Sequence, residues 1–268
     1  MDRPTRRVAL VTGAARGIGA ATVHRLSADG YAVIALDICA GDTGIDDLPG
    51  VGYPLATAAE LEALATDLPH VVPEVADVRD AAAVSRAAHR AVERFGRLDV
   101  AVAAAAVMVG GGPLWETPPA HVDTLWDVDV RGVFNTAAVC VPLMLDGPDP
   151  SGCRFVAVAS TAGSRGLFHL AAYAMAKHAV VGLIRGLAAD LVGTGVTAVA
   201  VSPGSTRTPM LDATAAVYGV RPDQLAESQL IRRLLDPDEV ARVIAWCCAP
   251  ETSALNGADV PADGGFTR

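Results

Sequence analysis

Basic charge is in short supply in this chain. Lys and Arg total 21 against 30 Asp and Glu, a formal net charge of −9 over 268 residues. Spread along the sequence, that deficit disfavours a nucleic-acid partner or an anionic membrane surface. Long hydrophobic runs are also missing. The uncharged stretch Val100 to Trp115 is sixteen residues long and holds three glycines and a proline, too short and too broken to span a bilayer. The opening, Met1-Asp2-Arg3-Pro4-Thr5-Arg6-Arg7, is polar and leads directly into an apolar segment, so it does not read as a secretory signal. Cysteine is sparse: five residues, with Cys247 and Cys248 adjacent and the others scattered. That spacing forms neither a disulfide framework nor a metal site, and reduced thiols in a cytoplasmic protein are the expectation.

What is present is a steady alternation of short apolar segments and helical patterns. The length fits one large α/β domain, residues 1–268, better than two small ones. Strands are expected at Val8 to Val11, Tyr31 to Leu36, Val71 to Val75, Leu98 to Ala104, Cys153 to Ala159, Val196 to Val201 and Ala258 to Ala262. Between them the pattern gives a helix closing near Gly30 and one from Thr57 to Leu68, opened by a Thr57/Glu60 capping box. Others run from Asp80 to Gly96, from Pro119 to Leu145, to Gly193 through Tyr173, and from Pro237 onward. Residues 205–235 read as an irregular segment able to act as a lid. Strands apolar throughout and separated by helices predict a doubly wound, Rossmann-type parallel sheet of about seven strands covered on both faces. Ligands in such sheets bind at the carboxyl ends of the strands, where Gly13, Asp37, Asp77, Ser160 and Pro203-Gly204 fall.

The first strand runs into Thr12-Gly13-Ala14-Ala15-Arg16-Gly17-Ile18-Gly19 and then a helix. Glycines at such a turn let the backbone approach a pyrophosphate, and free amides at the helix start bind its charge. The second strand ends at Asp37, whose carboxylate can accept both hydroxyls of an adenosine ribose and repel a 2′-phosphate, which favours NAD over NADP. Arg16 argues the other way if it reaches a phosphate; otherwise it is a solvated surface residue.

Tyr173 and Lys177 stand four positions apart, which stacks them on one helical face, and Ser160 precedes Tyr173 by thirteen residues. The ammonium can lower the phenol's pKa and make it a usable acid/base, while the serine holds the oxygen being protonated or deprotonated. Alone, the pair is weak evidence and reads first as a core aromatic one turn from a solvated lysine. The glycine loop decides for hydride transfer.

Together these motifs make the chain resemble the short-chain dehydrogenase/reductase superfamily from about Arg7 to Gly265. The resemblance implies a catalytic set of Ser160, Tyr173 and Lys177, with Asp129 at the position usually held by Asn. It also implies a cofactor set of Gly13, Arg16, Gly17, Ile18, Gly19, Asp37, Ile38, Asp77, Val78, Ala104 and Lys177, with Pro203, Thr206 and Thr208 holding the nicotinamide carboxamide. Asn256-Gly257 and Asp263-Gly264-Gly265 match the C-terminal signature. Related chains commonly form tetramers, so a homo-oligomer is expected.

Two departures stand out. Ala103-Ala104-Ala105-Ala106 replaces the usual Asn-Asn-Ala-Gly, removing side chains that normally tie the sheet together. Asp129 adds a negative charge that, if close, would raise the Lys177 pKa and weaken its effect on Tyr173. Residues 39–56 form an insertion beside the adenosine half of the site, similar to that of the mycofactocin-associated dehydrogenases. That resemblance implies NAD held without exchange and electrons passed to a redox peptide; the other reading is a surface loop. Substrate walls are expected at Met108, Trp115, Leu167, Phe168, Met210, Leu211 and Tyr218, with His169 either in the pocket or on the surface, which points to an apolar alcohol or ketone. The alternatives are an ordinary dehydrogenase with freely exchanging NAD(P), or a cofactor-binding protein of weak turnover.

Overall fold

The computed structural model describes residues 6–44 and 47–267. Seven parallel strands form one sheet: β1 (Val8–Thr12), β2 (Ala32–Asp37), β3 (Val71–Val75), β4 (Val100–Ala103), β5 (Arg154–Val158), β6 (Thr197–Pro203) and β7 (Asp259–Ala262). Their order is β3-β2-β1-β4-β5-β6-β7. The sheet is all parallel because helices cross between strands, and the chain reverses its direction of travel between β1 and β4. A cleft opens beyond the carboxyl ends of those two strands.

Strand residues alternate between two cores. Val8, Leu10, Ile34 and Phe155 face one side, packed by α3 (Ala81–Phe95), α5 (Gly132–Leu145) and α6 (Ala171–Asp190). Ala9, Val11, Val33 and Val156 face the other, packed by α1 (Gly17–Ala28), α2 (Ala58–Thr66) and α8 (Pro237–Cys247). Both faces are dry, so the two-residue period of the strands is invisible as an apolar/polar alternation.

Helix ends follow local chemistry. Asp80 caps α3 by accepting from Ala82 N and Ala83 N, and Gly96 closes it in the left-handed region at φ 79°. Thr57 and Glu60 form the reciprocal capping box of α2. The helix expected from Pro119 to Leu145 is α4 (Pro119–Leu125), a π-helical stretch over Trp126–Arg131, and then α5. The wider turn sits at Asp129, where it aims a buried carboxylate toward α6.

The structure corrects several expectations. The fourth strand begins at Val100 rather than Leu98, and the sixth runs on to Pro203 because its end pairs with β7. Residues 205–235 are not irregular throughout: α7 (Pro209–Tyr218) and a 3-10 turn over Pro222–Ser228 lie within them. Thr206 pairs with Leu235, so the segment is anchored at both ends.

The 39–56 insertion is a loop, largely exposed but pinned to the body at a few buried residues; residues 45 and 46 of it lie outside the described residues. Leu48 and Val51 are buried in the core on the α3/α5 side. Removing each from water contributes roughly 1.5–3 kcal/mol. Thr124 of α4 donates to Pro49 O at 3.0 Å, and Gly41 N donates to Ala56 O at 2.8 Å, closing the segment on itself. Gly50 has φ 87° and lies so near Val109 and His121 that a Cβ would meet them at 2.5 and 2.7 Å. Only glycine allows that approach.

Candidate functional site

One cavity of about 840 Å³ runs from the glycine loop and Asp37 at one end to Ser160, Tyr173 and Lys177 at the other. Every residue assigned to the cofactor from the sequence lines it, Gly13, Arg16, Gly17, Ile18, Gly19, Asp37, Ile38, Asp77, Val78, Ala104, Lys177, Pro203, Thr206 and Thr208. Leu48, Tyr53, Pro54, Leu55 and Ala56 line it too.

The glycine loop is shaped by close approach. Gly13 sits at φ 65°, and a Cβ there would meet the Ala105 backbone at 2.7 Å. Bare backbone therefore faces the cleft where β1 and β4 diverge, and the amides at the start of α1 are free to meet a pyrophosphate. The missing asparagine side chains are replaced by Thr12, whose Oγ1 accepts from Ala104 N and Ala105 N, both at 3.1 Å. The loop after β4 is tied to β1 without them.

At the adenosine end Asp37 is buried and already engaged: Oδ2 accepts from Ala15 N and Oδ1 from Cys39 N, each at 3.0 Å. Two amides fix the carboxylate, and each oxygen keeps a second lone pair for a ribose hydroxyl. Arg16 is half-buried, and its guanidinium is held by Glu60 rather than free to reach a phosphate. Asp77 accepts from Arg79 N and Nε, both at 2.8 Å, and Arg79 reaches on to Asp47 of the insertion at 2.5 Å. Tyr53, also from the insertion, accepts from Met108 N at 3.0 Å, so the insertion touches the loop that leads to the catalytic end. Tyr53 and Asp47 belong to no chemical motif in the sequence, and Glu60 shows there only as the capping-box partner of Thr57. The one available signal was the spacing of apolar Leu48, Val51, Tyr53 and Leu55 within a Gly/Asp/Pro stretch.

At the catalytic end α6 presents Tyr173 and Lys177 on one face, with Lys177 Nζ 5.6 Å from the tyrosine ring centroid. Lys177 Nζ lies 3.1 Å from Asp129 Oδ2 and donates to Val158 O at 3.4 Å; both side chains are fully buried. Asp129 Oδ1 accepts from Val107 N at 2.8 Å. Burial alone would pull the Lys177 pKa down, but the charge of Asp129 and the tyrosine outweigh it, so the ammonium is held above its ordinary range. The Tyr173 phenol is raised, not lowered: burial pushes it up, Lys177 pulls it down, and Asp129 pushes it up again. Lysine's influence is thus present but overridden. Ser160, extended at φ −175°, accepts from Ala162 N at 3.1 Å and lines the cavity beside Tyr173.

The substrate walls divide. Met108, Leu167, Phe168, Met210, Leu211 and Tyr218 line the cavity, and so does His169, which stacks on Phe168 at 3.7 Å. Trp115 does not; it is 85% exposed on a short 3-10 turn. Thr208 lines the cavity, but its hydroxyl also caps α7 by accepting from Leu211 N.

Residues 51–267 match the family model described as enoyl-(acyl carrier protein) reductase. The chain is 34% identical to an uncharacterized NAD-dependent oxidoreductase of Mycobacterium tuberculosis, covering 98% of this chain and 96% of that protein. It belongs to the short-chain dehydrogenase/reductase superfamily. The dehydrogenase is also 31% identical to a (-)-trans-carveol dehydrogenase of Rhodococcus erythropolis, covering 100% of this chain and 99% of that one. Among solved structures, a carveol dehydrogenase from Mycobacterium avium in complex with NAD superposes with a TM-score of 0.88 at 29% identity, over 99% of both chains.

Proposed function

We propose that this oxidoreductase interconverts an apolar secondary alcohol and its ketone with NAD as hydride carrier. The observation that carries this reading is the single cavity joining Asp37 and the bare glycine loop to Ser160, Tyr173 and Lys177. NAD supplies, when bound, a carbon that accepts or returns a hydride. The chain's own residues do the rest. Ser160 and Tyr173 hold the substrate oxygen between them, and Tyr173 takes or gives its proton. Lys177, kept as an ammonium by Asp129, faces the tyrosine ring and stabilises the phenolate. Met108, Leu167, Met210 and Leu211 supply an apolar wall that excludes water and rewards a hydrocarbon skeleton. The relatives named as carveol dehydrogenases act on such a skeleton, which supports this class.

The finer reading is that NAD stays bound and is reoxidised in place by a mycofactocin-type redox peptide. What supports it is the insertion, which walls the adenosine end and is tied down at Tyr53, Asp47 and Pro49. A homotetramer and a cytoplasmic location complete the proposal. Exposed Trp126, Phe134 and Met175, on the π stretch, α5 and α6, favour the first, and five free, buried cysteines are compatible with the second. Dye-linked oxidation of a panel of hydrophobic secondary alcohols, with wild type and Tyr173→Phe in parallel, is the test. Turnover by wild type and none by the variant supports the assignment; equal turnover by both removes it.

A further inference from the structure

The adenosine end contains an ionic contact that neither hydride transfer nor ribose binding uses. Arg16 stands just before the second loop glycine and lines the cavity. Its Nε donates to Glu60 Oε1 at 2.8 Å and its Nη2 to Glu60 Oε2 at 2.6 Å, a two-point fork. Its Nη1 donates to Pro54 O at 3.1 Å. Glu60 is itself fixed, because its Oε2 accepts from Thr57 N and Thr57 Oγ1, both at 2.9 Å, in the capping box of α2. The bond to Arg16 holds the Glu60 carboxyl down at about 2.

Asp37 and Glu60 serve the same small space. Asp37 Oδ2 accepts from Ala15 N, the residue next to Arg16, which Glu60 holds. The other cation lining this end of the cavity, Arg79, is committed to Asp77 and Asp47. A ribose 2′-phosphate, with roughly two negative charges, would therefore meet the Asp37 carboxylate and guanidinium groups already engaged. The 2′-hydroxyl of NAD meets no such opposition.

We propose that Glu60 is a cofactor-selectivity determinant: by holding Arg16 in a two-point ion pair it withholds that cation from a 2′-phosphate. This rests on the reading of NAD as the cofactor. Sequence alone left Arg16 as a candidate phosphate reader; the geometry assigns the decision to its partner on α2.

The test is a four-cornered set: wild type, Glu60→Gln, Arg16→Ala and the double variant. Gln at position 60 keeps the length and the capping contact with Thr57 while removing the charge. The readout is the ratio of NADP to NAD. It is measured in the nucleotide released from freshly purified protein, and by competition titration with both nucleotides if dialysis empties the site. The NAD reading stands or falls on the wild-type ratio alone, and the role of Glu60 on how the ratio changes. Glu60→Gln should raise the ratio by about tenfold, the worth of one charge-assisted contact. Arg16→Ala should not raise it, and in the double variant the gain should vanish. An unchanged ratio in Glu60→Gln, or a gain that survives loss of Arg16, would overturn the proposal.

Discussion

The two ends of the cavity use charge in opposite ways. At the adenosine end charges are plentiful and partly exposed: the Arg16 and Glu60 side chains are 30% and 41% accessible, and Asp47 is more open still. At the catalytic end one pair, Asp129 with Lys177, is sealed at 0% and 2%. Exposed pairs are screened and add little stability, so the adenosine end can be retuned without losing the fold. A buried pair cannot lose one partner without stranding the other. One end is built to choose and hold a nucleotide, the other to keep a proton inventory fixed during the reaction.

The strongest way to break this division is at Tyr173. Tyr173→Phe removes one hydroxyl, and turnover should fall by at least ~10³-fold, while the nucleotide content of the protein stays as in wild type. Loss of nucleotide along with activity would mean that the two ends are not separable.

Next is Asp129. Asp129→Asn leaves Lys177 buried without its anion, and unfolding titrations should show a loss of about 3–5 kcal/mol. Lys177 is the only lysine in the chain, so protein labelled in lysine alone gives one side-chain NMR signal to follow with pH. In wild type that signal should remain an ammonium above the ordinary lysine range, and in the variant it should titrate lower. The sign for stability follows: a lysine raised in the folded state stabilises below its unfolded pKa and loses that contribution as pH rises through the folded one. The wild type should therefore shed this contribution only in strong alkali. A lysine signal identical in both proteins would mean the ion pair does not set the ammonium.

At the adenosine end the expected effects are smaller in energy and visible in exchange. Leu48→Ala should cost about 2 kcal/mol and speed release of bound nucleotide, measured by chase with labelled NAD. If release is unchanged, the insertion is not what retains the cofactor. Smallest is Asp37→Ala, which should weaken NAD and narrow its advantage over NADP several-fold in competition binding.

How far the sequence could be read differs between the same two ends. The sheet and its helices were legible because buried parallel strands are apolar throughout and the caps at Thr57, Asp80 and Gly96 are local signals. Tyr173 and Lys177 were legible because helical spacing brings them to one face, and Ser160 because it ends the apolar run of the fifth strand. The adenosine end was legible only in part: the glycine loop, Asp37 and Asp77 stand out, but the contacts that tie Arg16 and the insertion join residues far apart in sequence. Arg16 meets Glu60 forty-four positions away, and Tyr53 meets Met108 fifty-five away. Helix periodicity also hides the π turn at Asp129, since one extra residue per turn leaves the apolar pattern nearly intact. The lysine's expected pull on the tyrosine is present but overridden: burial raises the phenol more than one ammonium lowers it, and the Asp129 charge raises it again.

The most direct measurement is the nucleotide content of freshly purified protein after extensive dialysis. Near-stoichiometric NAD is the predicted result, with little steady turnover on added NAD but sustained oxidation when an artificial electron acceptor is supplied. An empty site with rapid multiple turnover on fresh NAD would contradict it and leave the insertion as a wall that does not retain the cofactor.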